Sequence, residues 1–330
     1  MQLKYKVQIT VIILSILVGS TSAYMSYTTN RNLINQVKTD VLKDTVALIQ
    51  KDFNDQAKKA AARASMIAYL PSIQEAFRAQ DSIRMMATLG SVMKEQRDKY
   101  GVREAQFLLP PAISFLRVYA PNDGHGEDLS KIRDMVVYTY QKQQSQSGLE
   151  IGRRGLSIRG MEVVKDEQGP IGVFEIGMST TPILENLKKN TGFDGGVFVD
   201  EKLMSTIATL LPSPDSDRIM YGFRNVDATD WQIIRKIVPD DISNRIKDVS
   251  FNSFIKDETE YATVIVPILD YKGSNIGFIM GIRNFEEYQN QLQTVIVQSI
   301  WSGFLQSIIL MMVLLIMLKS MSNNLISDNK

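Results

Sequence analysis

The chain has no cysteine and one histidine among its 330 residues. Without cysteine there is no disulfide framework and no thiol nucleophile. An exported location tolerates that absence. A single imidazole, His125, excludes a histidine-rich zinc site. An excess of one charge is also missing. The 37 Lys and Arg against 36 Asp and Glu leave a formal net charge of +1, so no bulk electrostatic case for nucleic acid exists. The signatures G-x-S-x-G and H-E-x-x-H do not occur, and nothing points to an enzyme or to a cofactor. Glycine and proline are absent between Ala23 and Leu70. Nothing there interrupts a helix before Pro71.

What is present begins with two apolar spans, residues 7–24 and 295–318. Crossing hydrocarbon takes about 20 apolar residues in a helix. The second span meets this and carries no charge. Its Trp301 suits an interfacial anchor or an ordinary bundle contact. The polar Gln298, Ser299, Gln306 and Ser307, with Ser302-Gly303, mark a helix-packing face. The first span, preceded by Lys4 and Lys6, reads as an anchor or as a cleavable signal peptide. The helix-forming sequence that follows without a break favours the anchor. Lys4, Lys6 and Lys319 flank the spans on one side. The positive-inside tendency therefore puts both termini in the cytoplasm of a bacterial cell and exports the centre. The expected protein is a two-pass inner-membrane protein with a periplasmic or extracellular domain.

Between the spans, residues 25–70 form one spine helix, with apolar positions at Ile34, Val37, Val41 and then Leu42, Val46, Ile49, Phe53 in steps of three and four. A parallel homodimer along this spine is expected. Residues 72–100 read as helical and polar. Gln106–Leu109 and Ser114–Tyr119 are strand-like runs separated by Pro110-Pro111. A helix is expected from Leu129 to Gln144 with Asp128 as N-cap. Leu156–Val164 and Ile171–Met178 form a hairpin, as do Tyr261–Leu269 and Asn275–Arg283. The returning strands, Ile171-Gly-Val-Phe-Glu-Ile-Gly177 and Ile276-Gly-Phe-Ile-Met-Gly281, resemble each other, which fits two modules in tandem. The domain plan is then: 1–6 cytoplasmic, 7–24 first span, 25–70 spine, 71–190 membrane-distal module, 191–284 membrane-proximal module, 285–294 connecting helix, 295–318 second span, 319–330 short cytoplasmic tail.

This layout, with Gln106-Phe-Leu-Leu-Pro-Pro-Ala-Ile-Ser-Phe-Leu-Arg-Val-Tyr119, Gly126-Glu-Asp-Leu-Ser130, Arg133 and the run Gly148–Arg159, resembles the double-Cache sensory domains of bacterial chemoreceptors, sensor kinases and diguanylate cyclases. The resemblance implies an α+β fold: a long N-terminal helix and two tandem PAS-like (Cache) modules, flanked by two transmembrane helices. Leu108 stands where this branch often has His, and Glu127 where it often has Asp. A further departure is the short tail, which leaves no output domain and implies a separate partner such as a kinase, cyclase or chemoreceptor. The implied function is sensing a small molecule. The alternatives are an adaptor whose modules dock a protein partner, or a truncated sensor.

Within this frame, Phe115, Arg117 and Tyr119 alternate onto one face of a strand, with Leu116 and Val118 on the other. An Arg between two aromatics suits an amino acid or organic acid, because its planar fork binds carboxylate bidentately. Glu150, Arg159 and Glu175 come from neighbouring segments of the same module. Those four charged residues are either ligand contacts or an internal salt-bridge network bracing a loop over the sheet. Gly152-Arg-Arg-Gly155 reads as a tight turn, because it lacks the Lys-Ser/Thr of a nucleotide loop. Asp123–Asp128, including His125, reads as a solvated turn and not a metal loop. Asp215, Asp217, Asp240 and Asp241 read as solvated loop carboxylates. Trp231 reads as a core contact or the wall of a second pocket.

Overall fold

The computed structural model describes residues 2–238 and 241–327, so Asp240 lies outside the described residues. The first helix, α1 (Gln2–Ala68), is followed by α2 (Pro71–Arg78) and α3 (Ser82–Tyr100). Five strands and one helix come next: β1 (Val102–Leu109), β2 (Ile113–Arg117), α4 (Asp134–Lys142), β3 (Gln146–Gly152), β4 (Gly155–Asp166) and β5 (Gly169–Met178). A second group then follows: α5 (Thr181–Thr191), β6 (Asp194–Asp200), α6 (Glu201–Ile207), β7 (Ile219–Met220) and β8 (Phe223–Ala228). Next are α7 (Trp231–Ile237), α8 (Ile242–Arg245), β9 (Ser250–Lys256), β10 (Thr259–Leu269), β11 (Asn275–Asn284) and α9 (Glu286–Ser327). This is the α+β architecture with a long N-terminal helix and two antiparallel sheets. The first sheet is ordered β2-β1-β5-β4-β3, the second β7-β8-β6-β11-β10-β9.

The chain divides into two compact units. One is Leu42–Phe254 with Ala262–Arg283. In it, one face of the first sheet carries an apolar core. Ala105 and Phe107 of β1, Phe174 and Ile176 of β5, and Ile158 of β4 point one way, against Ala60, Ala64, Ile73, Phe77, Met85 and Leu89 of the three helices. Each fully buried large side chain in such a core contributes about 1.5–3 kcal/mol. The alanines of α1 matter for their size. β4 comes so close at Gly160 that an added Cβ would meet the Ala60–Ala61 backbone. In the second sheet Phe198 stacks on Phe278 with ring centroids 4.8 Å apart. Trp231 is buried against Phe198 as a core contact, and its indole N–H reaches Asp217 at 3.4 Å. That bond and Arg235 hold the Asp217 carboxylate below its usual range, so it is not merely solvated.

Two expectations are corrected. The helix from Leu129 does not form; turns occupy 129–133 and α4 begins at Asp134. Asp128 instead accepts the Ser130 N–H at 2.9 Å, a local turn. The helix starts where Glu150 accepts the Met135 N–H at 3.1 Å and Arg133 is pulled inward. Strand β3 was not foreseen in a run as polar as Gln146-Ser-Gly-Leu-Glu-Ile-Gly152.

The other unit holds the two chain ends and Ile255–Tyr261. Both α1 and α9 contain a stretch long and apolar enough to cross a membrane. Ile13, Leu17, Ile309, Ile316 and Trp301 turn outward. The two helices touch through small residues, since a Cβ at Gly19 would meet the Gly303 carbonyl. Ser26 and Ser299 hydroxyls lie 3.3 Å apart beside this contact. A chain without native cysteine permits a clean test. The double variant S26C/S299C is expected to crosslink within one chain under mild oxidant, seen as a fast-migrating monomer on non-reducing gels; crosslinks only between chains would contradict the pairing. Away from the spans, Lys38 grips both carboxylate oxygens of Glu260 at 2.7 and 2.6 Å. The Glu260 carbonyl accepts the Phe285 N–H at 2.7 Å, which anchors the start of α9.

Candidate functional site

The second face of the first sheet is charged. Alternation puts Glu104 and Gln106 of β1, Glu175 of β5, Ser157 and Arg159 of β4 and Glu150 of β3 on it. The register brings Gln106 opposite both Arg117 and Glu175, and Glu150 opposite Ser157. Arg133 descends onto this surface from the segment before α4. Its Nε donates to Glu150 at 2.8 Å and its Nη1 to Glu175 at 3.1 Å, while Nη2 also reaches Glu175. Arg159 Nη1 contacts Glu104 at 2.7 Å and Glu175 at 3.1 Å. Arg133, Arg159 and Glu175 are 3 %, 1 % and 0 % exposed, so these pairs are desolvated and act as one network. The cost of burying Arg133 is outweighed by Glu175 and Glu150, and its guanidinium is held charged well above its ordinary value. Gly152 is needed for space, because a Cβ there would strike Arg159 Nη2.

Burial also acts on Glu104, pushing its carboxyl up, but Arg159, Arg133 and Arg103 overcome it and hold the group below its usual value. The sign of the consequence follows. A depressed carboxyl stabilises the fold above its unfolded pKa, and that stability is lost as pH falls through the folded value. Denaturation midpoints measured between pH 7 and pH 3 are expected to fall less steeply for E104Q than for the parent. Parallel curves would show that Glu104 carries none of the acid sensitivity.

Above the network lies a cavity of about 80 Å³. Arg103, Arg117, Arg133, Arg153, Arg154 and Arg159 line it, with Tyr119 and Leu210. Arg117 both faces this space and is paired, with Glu127 at 2.6 Å and Asp123 at 3.4 Å. Arg153 shares Glu127, and Arg154 meets Asp123 at 2.8 Å. Arg103 is different. Its guanidinium donates to the main-chain carbonyls of Leu156 and Arg154, at 3.2 and 3.3 Å, and to no carboxylate among the described residues.

Of the six residues expected at the site, Arg117, Tyr119 and Arg159 line the cavity. Glu150 and Glu175 lie beneath it, as the internal salt bridges that were the other reading of them. The Tyr119 hydroxyl donates to the Met93 carbonyl at 2.7 Å, so its ring is a wall. Burial pushes its pKa up to about 12. Phe115 is a correction. A register shift between Phe107 and Leu108 breaks the alternation, and Phe115 turns into the core 5.4 Å from the Phe77 ring. His125 packs edge-on against Phe115 and bonds its carbonyl through Nδ1 at 2.8 Å, so it too is structural. The residues missed were Arg133, hidden inside the expected helix, and Glu104, Arg103, Arg153 and Arg154. Period-two alternation back from Gln106 would have found Glu104.

A sheet backed by helices on one face, with a small charged cavity on the other, has the layout of a PAS-like sensory module. Residues 39–288 match the family model described as the double sensory domain of two-component sensor kinase. The chain belongs to this double-Cache family. No curated protein matches it. Among solved structures it is similar to the sensory domain of the Campylobacter jejuni chemoreceptor Tlp3 (CcmL) with isoleucine bound, at 12% identity and a TM-score of 0.47, over 82% of this chain and 98% of that one. It is also similar to the periplasmic domain of Vibrio cholerae LuxQ, at 13% identity and a TM-score of 0.48, over 74% of this chain and 99% of that one.

Proposed function

We propose that the chain is a membrane-anchored sensor subunit, its domain exported, that binds a small organic acid or amino acid in the cavity over the first sheet. One observation carries the reading. Six guanidinium groups line a cavity served by five carboxylates, those of Glu104, Asp123, Glu127, Glu150 and Glu175. The guanidinium left with carbonyl partners only is Arg103. A ligand carboxylate supplies the missing anion, and guanidinium is the group that binds carboxylate in two-point fashion. The size of the cavity limits the ligand to a few heavy atoms.

Binding displaces Glu127 or Asp123 from Arg117, and the segment carrying both is rearranged. The bound state passes to a separate signalling partner, such as a kinase, cyclase or chemoreceptor. A ligand shifts that equilibrium only by its preference for one arrangement. Pairing of two copies along α1, where Leu33 and Val37 leave apolar side chains exposed, is part of the same proposal.

The test is calorimetric titration of the full chain in lipid nanodiscs with a panel of small carboxylates and amino acids. At least one member is expected to saturate one site, and R117Q is expected to weaken it at least tenfold. Arg117 sits at the rim, 11 % exposed at its side chain, so the variant keeps the buried network. A panel with no binder, or a binder indifferent to R117Q, removes the proposal.

A further inference from the structure

A second, larger cavity opens in the same compact unit, between the first sheet and the β6–β8 side of the second. Its volume is about 850 Å³, within the range of small-molecule sites, whereas the cavity over the first sheet is far below it. The partition between the two is thin. Arg103 and Arg154 border both, and the loop after α6 places Leu210 in one wall and Leu211 in the other. That loop is fixed by the Leu210 N–H to the Arg153 carbonyl at 2.9 Å, and by Arg153 Nε to the Thr209 hydroxyl at 3.0 Å.

The lining has charge of both signs with unused bonding capacity. Each guanidinium has five N–H donors. Arg103 directs two of them to carbonyls, and Arg218 donates to the Asn225 amide oxygen at 2.8 Å while lying over the Trp231 ring. Neither has a carboxylate within ion-pair distance among the described residues. On the acidic side, Asp227 accepts the Thr180 and Thr181 hydroxyls, at 2.8 and 2.9 Å, through one oxygen. Asp215 also lines the cavity, and no described side chain pairs with its carboxylate. Apolar wall is supplied by Leu156, Met204, Leu211 and Val226.

We propose that this cavity is a second ligand site, for a short peptide with free ends. The peptide carboxylate meets Arg218 and Arg103, its ammonium meets Asp215 and Asp227, and its side chains rest on the apolar wall. A simple anion leaves the two aspartates unanswered, and an apolar molecule leaves all four charges so; a zwitterion answers both signs, and the volume of about 850 Å³ has room for one longer than a single amino acid. This reading shares Arg103 with the organic-acid reading of the smaller cavity, whereas Arg218, Asp215 and Asp227 belong to this cavity alone, so variants at those three test it separately.

Trialanine titrated calorimetrically into the full chain in nanodiscs tests it. Saturable binding is expected, weakened at least tenfold by R218Q and by C-terminal amidation of the peptide. D215N and N-acetylation are expected to weaken it by a similar factor, and R117Q to leave it unchanged. The proposal is overturned by no binding at millimolar peptide, by equal binding of the blocked peptides, or by a loss that follows R117Q and not R218Q. Should R218Q fail to fold, the blocked peptides on the parent protein decide the matter alone.

Discussion

Replacing Glu175 with alanine is expected to destabilise the domain by about 3–5 kcal/mol, the cost of breaking a buried ion pair from one side. For a unit of this size that is a fall in Tm of about 10 °C. The cause is the two cations left behind. Glu175 is fully buried and accepts from Arg133 and Arg159 together. Without it both guanidiniums keep only Glu150 and Glu104, and both are buried. The contrast is E75A. Glu75 pairs with Arg84 at 2.8 Å with similar chemistry, but their side chains are 65 % and 51 % exposed. Its loss is expected to cost under about 1 kcal/mol, as exposed pairs do. Thermal unfolding of the two variants beside the parent separates burial from mere pairing. Equal, small shifts would mean that the Glu175 network is open to solvent.

That network also shows where the sequence is readable. Local patterns were sufficient for some of the elements. The absence of glycine and proline between Ala23 and Leu70 foretold an uninterrupted helix over that stretch of α1, and the repeated Ile-Gly in two returning strands foretold two related sheets. The structure gives the repeat a physical reason. A Cβ at Gly172 would meet the Leu108 carbonyl of the neighbouring strand, and one at Gly277 would meet the Phe198 carbonyl, so both glycines stand where a central strand is crowded. Patterns that depend on distant partners were not readable. Arg133 meets Glu175 across 42 residues, and that pull ends the turn and starts α4 at Asp134. From sequence alone, the segment from Leu129 looks like one helix because nothing nearby competes. Phe115 failed for a related reason, since it is the extra, unpaired residue of β2 where Phe107 and Leu108 pair with Leu116 and Ser114, and that bulge breaks the alternation.

The same charges set what the site is able to do. A cavity floored by a satisfied, buried network is a rigid platform, and its adaptable part is the rim of Arg117, Asp123, Glu127, Arg153 and Arg154. Ion pairs there are partly solvated and individually weak, and on the proposed function they exchange for a ligand's carboxylate at little net cost. On the proposed function, selectivity then lies in the geometry of the rim, and stability in the floor. Substitutions at the two levels are therefore expected to separate: rim variants alter binding with the fold intact, and floor variants alter the fold first.

The floor in turn rests on α1, and the largest effect is expected where they touch. G160A, and more strongly G160L, should unfold or expand the domain. β4 lies against the α1 backbone at Gly160, and the atoms an added Cβ would meet are the Ala60 carbonyl carbon and the Ala61 nitrogen and Cα. Backbone inside a helix cannot rotate aside as a side chain does. Ala60 and Ala64 are fully buried, so the helix has no smaller residue to offer and no room to withdraw. Overpacking of an ordinary core costs about 1–3 kcal/mol, and a collision between two backbones lies at or above the top of that range. A control of opposite sign sits nearby. At Gly90, in α3, an added Cβ meets only the Met86 methyl at 3.7 Å, an ordinary contact. Alanine there restricts the unfolded chain and favours the helix, so G90A is expected to stabilise by about 0.5–1 kcal/mol. Denaturant unfolding should therefore move in opposite directions for the same chemical change at two glycines. A G160A midpoint at or above that of the parent would show that the sheet and α1 do not meet as described.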